Sequence, residues 1–255
     1  MKISRLGVLS ALPQELGDLC DQLDRATTVE KARRHYHCGR IGETTVVATT
    51  ARIGKVAAAS TTTTLIQHFE VDAIVFVGVA GGLGRDISVG DVVLASELLQ
   101  HDLSAAPLFP PHEIPLLGVQ RIPTDSTLTS TVRIAAGQAI RRWQAQASHP
   151  HFSQSELHEG LIISGDQFIH QPGHAQTLLA AFPDALAVEM EGAAVAQVCW
   201  EHGTPFAVIR TISDRADAQA PVAFDQFLSE VAAPMSSGIL RGLFDAIAGS
   251  SQGAS

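Results

Sequence analysis

The stretch from Ala187 to Asp214 constrains the fold more than any other part of the chain. It holds an apolar strand, Ala187-Val-Glu-Met-Glu191, an Ala/Val-rich segment of helical length, and a second apolar strand, Phe206-Ala-Val-Ile-Arg-Thr-Ile-Ser-Asp214. Two strands joined through a helix read as a right-handed crossover between parallel strands. On that reading Glu191 and Asp214 reach one carboxyl edge of a parallel sheet, where open α/β sheets bind ligands. An ionised carboxylate withdrawn from water is costly unless something pairs with it, so two acids at one edge mark a candidate site. Either acid alone reads more readily as a solvated loop residue, and only the pair together points to a site.

The same alternation runs through the chain. Leu6 to Ala11 reads as a buried first strand, and Pro13 suits the first turn of a helix carrying Leu16, Leu19, Cys20 and Leu23 on one face. His35 to Arg40 and Thr44 to Ala51 read as a hairpin around Gly42, followed by a small-residue helix over 54–69. Strands are expected at Val71 to Val79, Asp91 to Leu99 and Gly160 to Ser164, and helices over 126–147, 173–182 and 225–248. The segment 104–123 holds five prolines and reads as a long ordered loop. The expectation is a three-layer α/β sandwich with a mixed, largely parallel central sheet flanked by helices, one domain over 1–249, and a disordered small polar tail over 250–255.

Composition excludes several classes of function. A formal net charge of −9 and the absence of a Lys/Arg stripe oppose binding to nucleic acid. The apolar runs are too short to span a membrane, and Met1-Lys-Ile-Ser-Arg enters the first strand with no signal-peptide pattern, so a cytoplasmic location is expected. Cys20, Cys38 and Cys199 are odd in number and far apart, as reduced core thiols would be.

Gly78-Val-Ala-Gly-Gly-Leu-Gly84 follows a strand, yet its spacing is not that of a dinucleotide fingerprint and the next element reads as a strand. The glycines read either as a close approach of backbone to a ligand or as a tight turn. His35-Tyr-His37, His101-Asp102 and His149-Pro-His151 lack a third ligand at a metal-site spacing, so solvated histidines and no metal are expected. Phe168, with Ile169 just past a strand end, reads either as core or as a stacking platform for a flat ring. Arg210 lies inside an apolar strand and must reach a carboxylate or the ligand edge, with Glu15, Glu189 and Glu191 as candidate partners.

In their order along the chain, these segments resemble the nucleoside phosphorylase and nucleosidase superfamily. The resemblance rests on Leu9-Ser-Ala-Leu-Pro-Gln-Glu15, Gly54-Lys-Val-Ala-Ala58, Val79-Ala-Gly-Gly-Leu83 with Val89-Gly-Asp-Val92, Ile163-Ser-Gly-Asp-Gln-Phe168, Val188-Glu-Met-Glu191, and Ile212-Ser-Asp214 with Phe224-Asp-Gln-Phe227. Within the superfamily the likeness is to the bacterial 5′-methylthioadenosine/S-adenosylhomocysteine nucleosidases. It implies Asp214 as the acid that protonates the departing adenine at N7, Glu191 as acceptor for the ribose hydroxyls with Met190 beside the sugar, and Glu15 with Arg210 as holders of the attacking water. It further implies that Phe168 and the Ile169 backbone recognise adenine, and that Phe224, Leu12 and Ile53 line the pocket for the 5′-alkylthio group. Glu189, Gly81, Val79 and Ser213 fall within the same implied nucleoside site. Similar enzymes are dimers, which makes 104–123 the candidate interface loop, and no cofactor is implied.

N-glycosidic cleavage leaves positive charge on the sugar and negative charge on the base, so an acid at the base and anions near the ribose suit it. Leaving-group protonation is typically worth ~10²–10⁴ in rate, provided that the acid keeps its proton near neutral pH. Water rather than phosphate is the expected nucleophile, because Glu15 would repel a phosphate dianion. Two alternatives stay open: a purine nucleoside phosphorylase, and a catalytically silent adenosine-binding module. Val79 departs from the resemblance, since similar nucleosidases commonly carry serine there, which leaves Asp214 to be held by Ser213 and backbone groups or else tuned differently. The Gln100-His-Asp-Leu-Ser104 segment also departs from the commonest pattern, leaving the 5′-substituent open.

Overall fold

The structure is a computed structural model that describes residues 3–84, 86–146, 154–216 and 224–252. His149-Pro-His151 and the end of the tail, 253–255, lie outside the described residues.

Apolar stretches of β-branched residues become strands, and small-residue stretches become the helices that cover them. In chain order the strands are β1 (Arg5–Ser10), β2 (Asp24–Lys31), β3 (Arg34–Ile41), β4 (Thr44–Thr50), β5 (Ala73–Gly82), β6 (Val92–Gln100), β7 (Arg121–Pro123), β8 (Leu157–Ser164), β9 (Ala185–Glu189) and β10 (Phe206–Asp214). The helices are α1 (Lys55–Gln67), α2 (Ser126–Gln146), α3 (Pro172–Ala181), α4 (Gly192–His202), α5 (Phe224–Phe227) and α6 (Ala233–Gln252), with a π-helical turn, Leu228–Ala232, joining the last two. Along β5, Val75 and Val77 face a core shared with α2 and α6, while Ile74 and Phe76 face a core shared with α1 and α4. Alternation on one strand thus accounts for the three layers.

Three expectations are corrected. The segment after Pro13 is not one helix but two 3-10 turns, Pro13–Leu16 and Leu19–Gln22, separated at Gly17, whose φ of 58° breaks the helix. Neither β2 nor β7 was expected, β7 lying at the end of the segment read as a loop. The final helix runs to Gln252, into the stretch expected to be disordered.

The larger correction concerns topology. β10 is parallel to β5, but β9 pairs with β5 antiparallel, so the connection from β9 to β10 is no parallel crossover. The pairings β5–β10, β10–β6, β6–β8, β8–β9 and β9–β5 close a ring. β9 and β5 overlap only through their last residues, Gly81 opposite Val188 and Gly82 opposite Ala187, and Asp214 also pairs with Gly81. Ring closure, rather than a shared strand direction, therefore brings the carboxyl ends of β5, β9 and β10 together.

Candidate functional site

Four carboxylates converge where the ring closes. Glu15 is turned inward by the 3-10 turn after β1, where its Oε2 accepts hydrogen bonds from the Ala11 and Leu12 backbone N–H groups at 2.8 and 2.6 Å. Its Oε1 accepts from Val79 N–H at 3.0 Å. Burial raises its pKa above the ordinary carboxyl value, against the opposing pull of these N–H groups and of Arg210.

Glu189 ends β9 and is the partner that Arg210 selects among the three glutamates. The Arg210 Nη2 donates to Glu189 Oε2 at 2.8 Å, and Nη1 donates to the carbonyls of Phe76 and Ile209 at 3.1 and 3.0 Å. The Gly192 N–H and the Ser164 hydroxyl also donate to Glu189. Arg210 is 1% exposed and is not among the described residues that line the pocket. Its guanidinium does lie close to Glu15, since both would crowd a Cβ at Gly78, at 3.5 and 3.0 Å.

Glu191 stands at the N-cap of α4 rather than at a strand end, and its Oε1 accepts from Gly54 N–H at 2.7 Å. Burial first, and the neighbouring Glu189 charge second, push its pKa up to about 8.

Asp214 ends β10 after a bulge that starts at Ile212. Its Oδ2 accepts from the Ser213 hydroxyl at 2.8 Å and its Oδ1 from Ala216 N–H at 2.7 Å. Ser213 and a backbone N–H thus hold the acid in a chain that has valine at 79, one of the two arrangements the sequence left open. The glycine cluster is strand rather than turn as far as Gly82, and it makes room for the protein's own carboxylates. A Cβ on Gly81 would stand 3.1 Å from Asp214 Oδ1.

These acids face one pocket of about 590 Å³, measured with its open mouth. Leu12, Ile53, Val79, Gly81, Phe168, Ile169, Met190 and Ser213 line it with the four carboxylates. Ile169 is buried, whereas Phe168 is 46% exposed, as a ring at a mouth would be rather than one in a core. Phe224 opens α5, but its side chain lies outside those described. Ala11, Ala80, Gln167 and Val188 also line the pocket and were missed, although each is next in sequence to a residue that was named. The pocket lining contains no Lys, Arg or His among the described residues. Nor, among the described residues, do three or more His, Cys, Asp or Glu side chains form a group that could hold a metal.

Known proteins resemble this chain in sequence and in fold. The chain is 35% identical over 224 residues to a 5′-methylthioadenosine/S-adenosylhomocysteine nucleosidase of Shewanella sediminis, covering 88% of this chain and 92% of that protein. The nucleosidase of the same name from Neisseria meningitidis, in complex with methylthio-immucillin-A, superposes with a TM-score of 0.84 at 32% identity, over 94% of this chain and 98% of the other. A futalosine hydrolase from Helicobacter pylori superposes at 0.82, also at 32% identity, over 95% of this chain and 97% of the other. The family model of the phosphorylase superfamily matches residues 5–245, and the chain belongs to that superfamily.

Proposed function

We propose that the protein is an adenosyl nucleosidase that hydrolyses the N-glycosidic bond of 5′-methylthioadenosine and S-adenosylhomocysteine, releasing adenine and the 5-thioribose product. The observation that carries hydrolysis over phosphorolysis is the charge of the pocket lining, four carboxylates and no described cation. Two unit charges of like sign 4 Å apart repel by about 4 kcal/mol at an effective dielectric near 20, so an ionised Glu15 opposes a phosphate dianion at the nucleophile's place. The Arg210 guanidinium, close behind Glu15, is already paired with Glu189.

In this reading adenine stacks on Phe168 and its edge meets the Ile169 backbone, while Leu12, Ile53 and Phe224 surround the 5′-group. As the bond from C1′ to N9 breaks, its electron pair passes to the base and Asp214 delivers its proton to N7. Glu15, biased toward its ionised form by Arg210 and the backbone N–H groups around it, stabilises the positive charge that grows on the sugar. Glu191, with Met190 beside it, accepts from the ribose hydroxyls, each hydrogen bond typically contributing ~0.5–1.5 kcal/mol. Water held by Glu15 adds to C1′ and leaves its proton on Glu15. Protons then exchange with solvent, Asp214 regaining one and Glu15 losing one. Arg210 holds the Glu189 corner and biases Glu15 toward its ionised form from behind the pocket wall.

The reading extends to assembly. Leu108 and Leu116 in the proline-rich segment are 84% and 90% exposed, and Ile53 of the pocket lining and Val56 in the first turn of α1 are 56% and 82% exposed. Burial of these side chains in a homodimer, with a partner's 104–123 segment near the 5′-pocket, accounts for them. A cytoplasmic site of action accords with three free cysteines, and no described helix is long and apolar enough to cross a membrane.

The test is incubation with 5′-methylthioadenosine, with and without phosphate. Adenine release at equal rates, with free methylthioribose as product, supports hydrolysis. Strict phosphate dependence with a sugar 1-phosphate overturns it, and tight adenine binding with no turnover of any 5′-substituted adenosine identifies a silent binding module. A panel of 5′-substituted adenosines, aminodeoxyfutalosine included, ranks the 5′-groups.

A further inference from the structure

Gln100-His101-Asp102, at and just past the end of β6, takes no part in the chemistry above, yet it meets the first turn of α1 and the loop that carries Phe168. Lys55, the first residue of α1, sends its ammonium to Asp102 Oδ1 at 2.6 Å and to Gln100 Oε1 at 3.1 Å. The other oxygen of Asp102 accepts from the Asp166 backbone N–H at 2.8 Å. Asp166 returns its own Oδ1 to the backbone N–H of Lys55 at 2.9 Å, which closes a ring of three residues. One residue before Lys55, the Gly54 N–H donates to Glu191. The start of α1 is therefore fastened to the carboxylate expected to bind ribose and, through Asp166, to the segment expected to bind the base.

The loop needs such a fastening. Beyond Ser164 it leaves the β8 ladder, with a last sheet-like hydrogen bond from Gly165 N–H to Glu189 carbonyl at 3.1 Å. The His101 ring packs so closely on Gly165 that a Cβ there would collide with it. Phe168 is half-exposed between two fastenings, the Asp166 hydrogen bonds two residues earlier and the buried Ile169 that follows it. Lys55 and Asp102 side chains are 17% and 30% exposed, withdrawn enough from water that their attraction is less screened than that of a surface pair. Although burial opposes it, the Lys55 hydrogen bond holds the Asp102 carboxyl below its ordinary pKa, as an ionised member of the ring.

We infer that Lys55, Asp102 and Asp166 are positioning residues that lock the 165–169 loop to α1 and thereby set affinity for the base, without touching the reacting atoms. The inference rests on the nucleosidase reading for its kinetic consequence and on geometry alone for the loop. Lys55→Met and Asp102→Ala should each raise KM for 5′-methylthioadenosine about tenfold and weaken adenine binding by a similar factor, with kcat changed less than about twofold. Lys55→Arg, which keeps a cation at the same place, should return KM to within about threefold of the parent. Hydrogen–deuterium exchange of the ligand-free protein should rise in 165–169 in both disruptive variants and stay unchanged in β8. Unchanged exchange in that loop, or a fall in kcat at constant KM, overturns the inference. If the parent protein turns over no nucleoside while loop exchange still rises in both variants, the nucleosidase reading fails and the positioning role stands.

Discussion

Arg210 and Glu189 form an ion pair at 2.8 Å in which both side chains are almost wholly withdrawn from water, at 1% and 3% exposure. The pair joins the end of β9 to the interior of β10, two strands that run in opposite directions around the ring. It also places a fixed positive charge behind a pocket whose own charged groups are acidic.

Breaking that pair from one side should be costly, because it strands a buried carboxylate. We expect Arg210→Leu to destabilise the protein by about 3–5 kcal/mol in urea unfolding. The double variant Arg210→Leu with Glu189→Leu should be less destabilised than the sum of its single variants. Additivity within ~0.5 kcal/mol would mean that the pair is not coupled.

Stability should depend on pH through Glu191. Its folded pKa, about 8, lies above its ordinary value of 4.5, so between these values the native state binds more protons than the unfolded one. Stability is then greatest below the lower value and falls as pH rises through the window. Burial of Glu15 contributes in the same direction. Glu191→Gln, which cannot ionise, should flatten the slope measured by thermal unfolding from pH 5 to pH 8 and should also lose ribose recognition. An equally steep slope in the variant would contradict the assigned cause.

Gly81 is required by space rather than by backbone conformation. A methyl group there would stand 3.1 Å from Asp214 Oδ1 and 3.2 Å from Ala216 Cβ, so Gly81→Ala should push the acid away from the base. We expect kcat to fall about tenfold or more, with a stability loss of about 1 kcal/mol. Steady-state kinetics beside a melting curve separates the two effects.

Most strands and helices were legible because apolar stretches of β-branched residues and small-residue helical stretches carry their own signal. β2 was not, since Asp24-Arg-Ala-Thr-Thr-Val-Glu-Lys31 is an edge strand exposed along nearly its whole length and shows no alternation. Strand direction was not legible either. An apolar strand reads the same whether its neighbour is parallel or antiparallel, so the antiparallel join of β9 to β5 escaped. The pocket acids were found despite this error, because they sit at strand ends and turns whose place in the chain is independent of pairing. Which glutamate meets Arg210 depends on register and rotamer, and sequence order specifies neither. The Lys55 ring was invisible for the same reason, its members being far apart in the chain.

In the proposed mechanism the side chain at 214 hands a proton to the purine as the glycosidic bond breaks. The most direct measurement is single-turnover hydrolysis of 5′-methylthioadenosine by Asp214→Asn, beside the binding affinity of the same variant for the nucleoside. We expect a rate reduced by at least ~10² with affinity within about tenfold of the parent, because asparagine keeps a hydrogen bond but cannot deliver a proton. Undiminished turnover in that variant would contradict it.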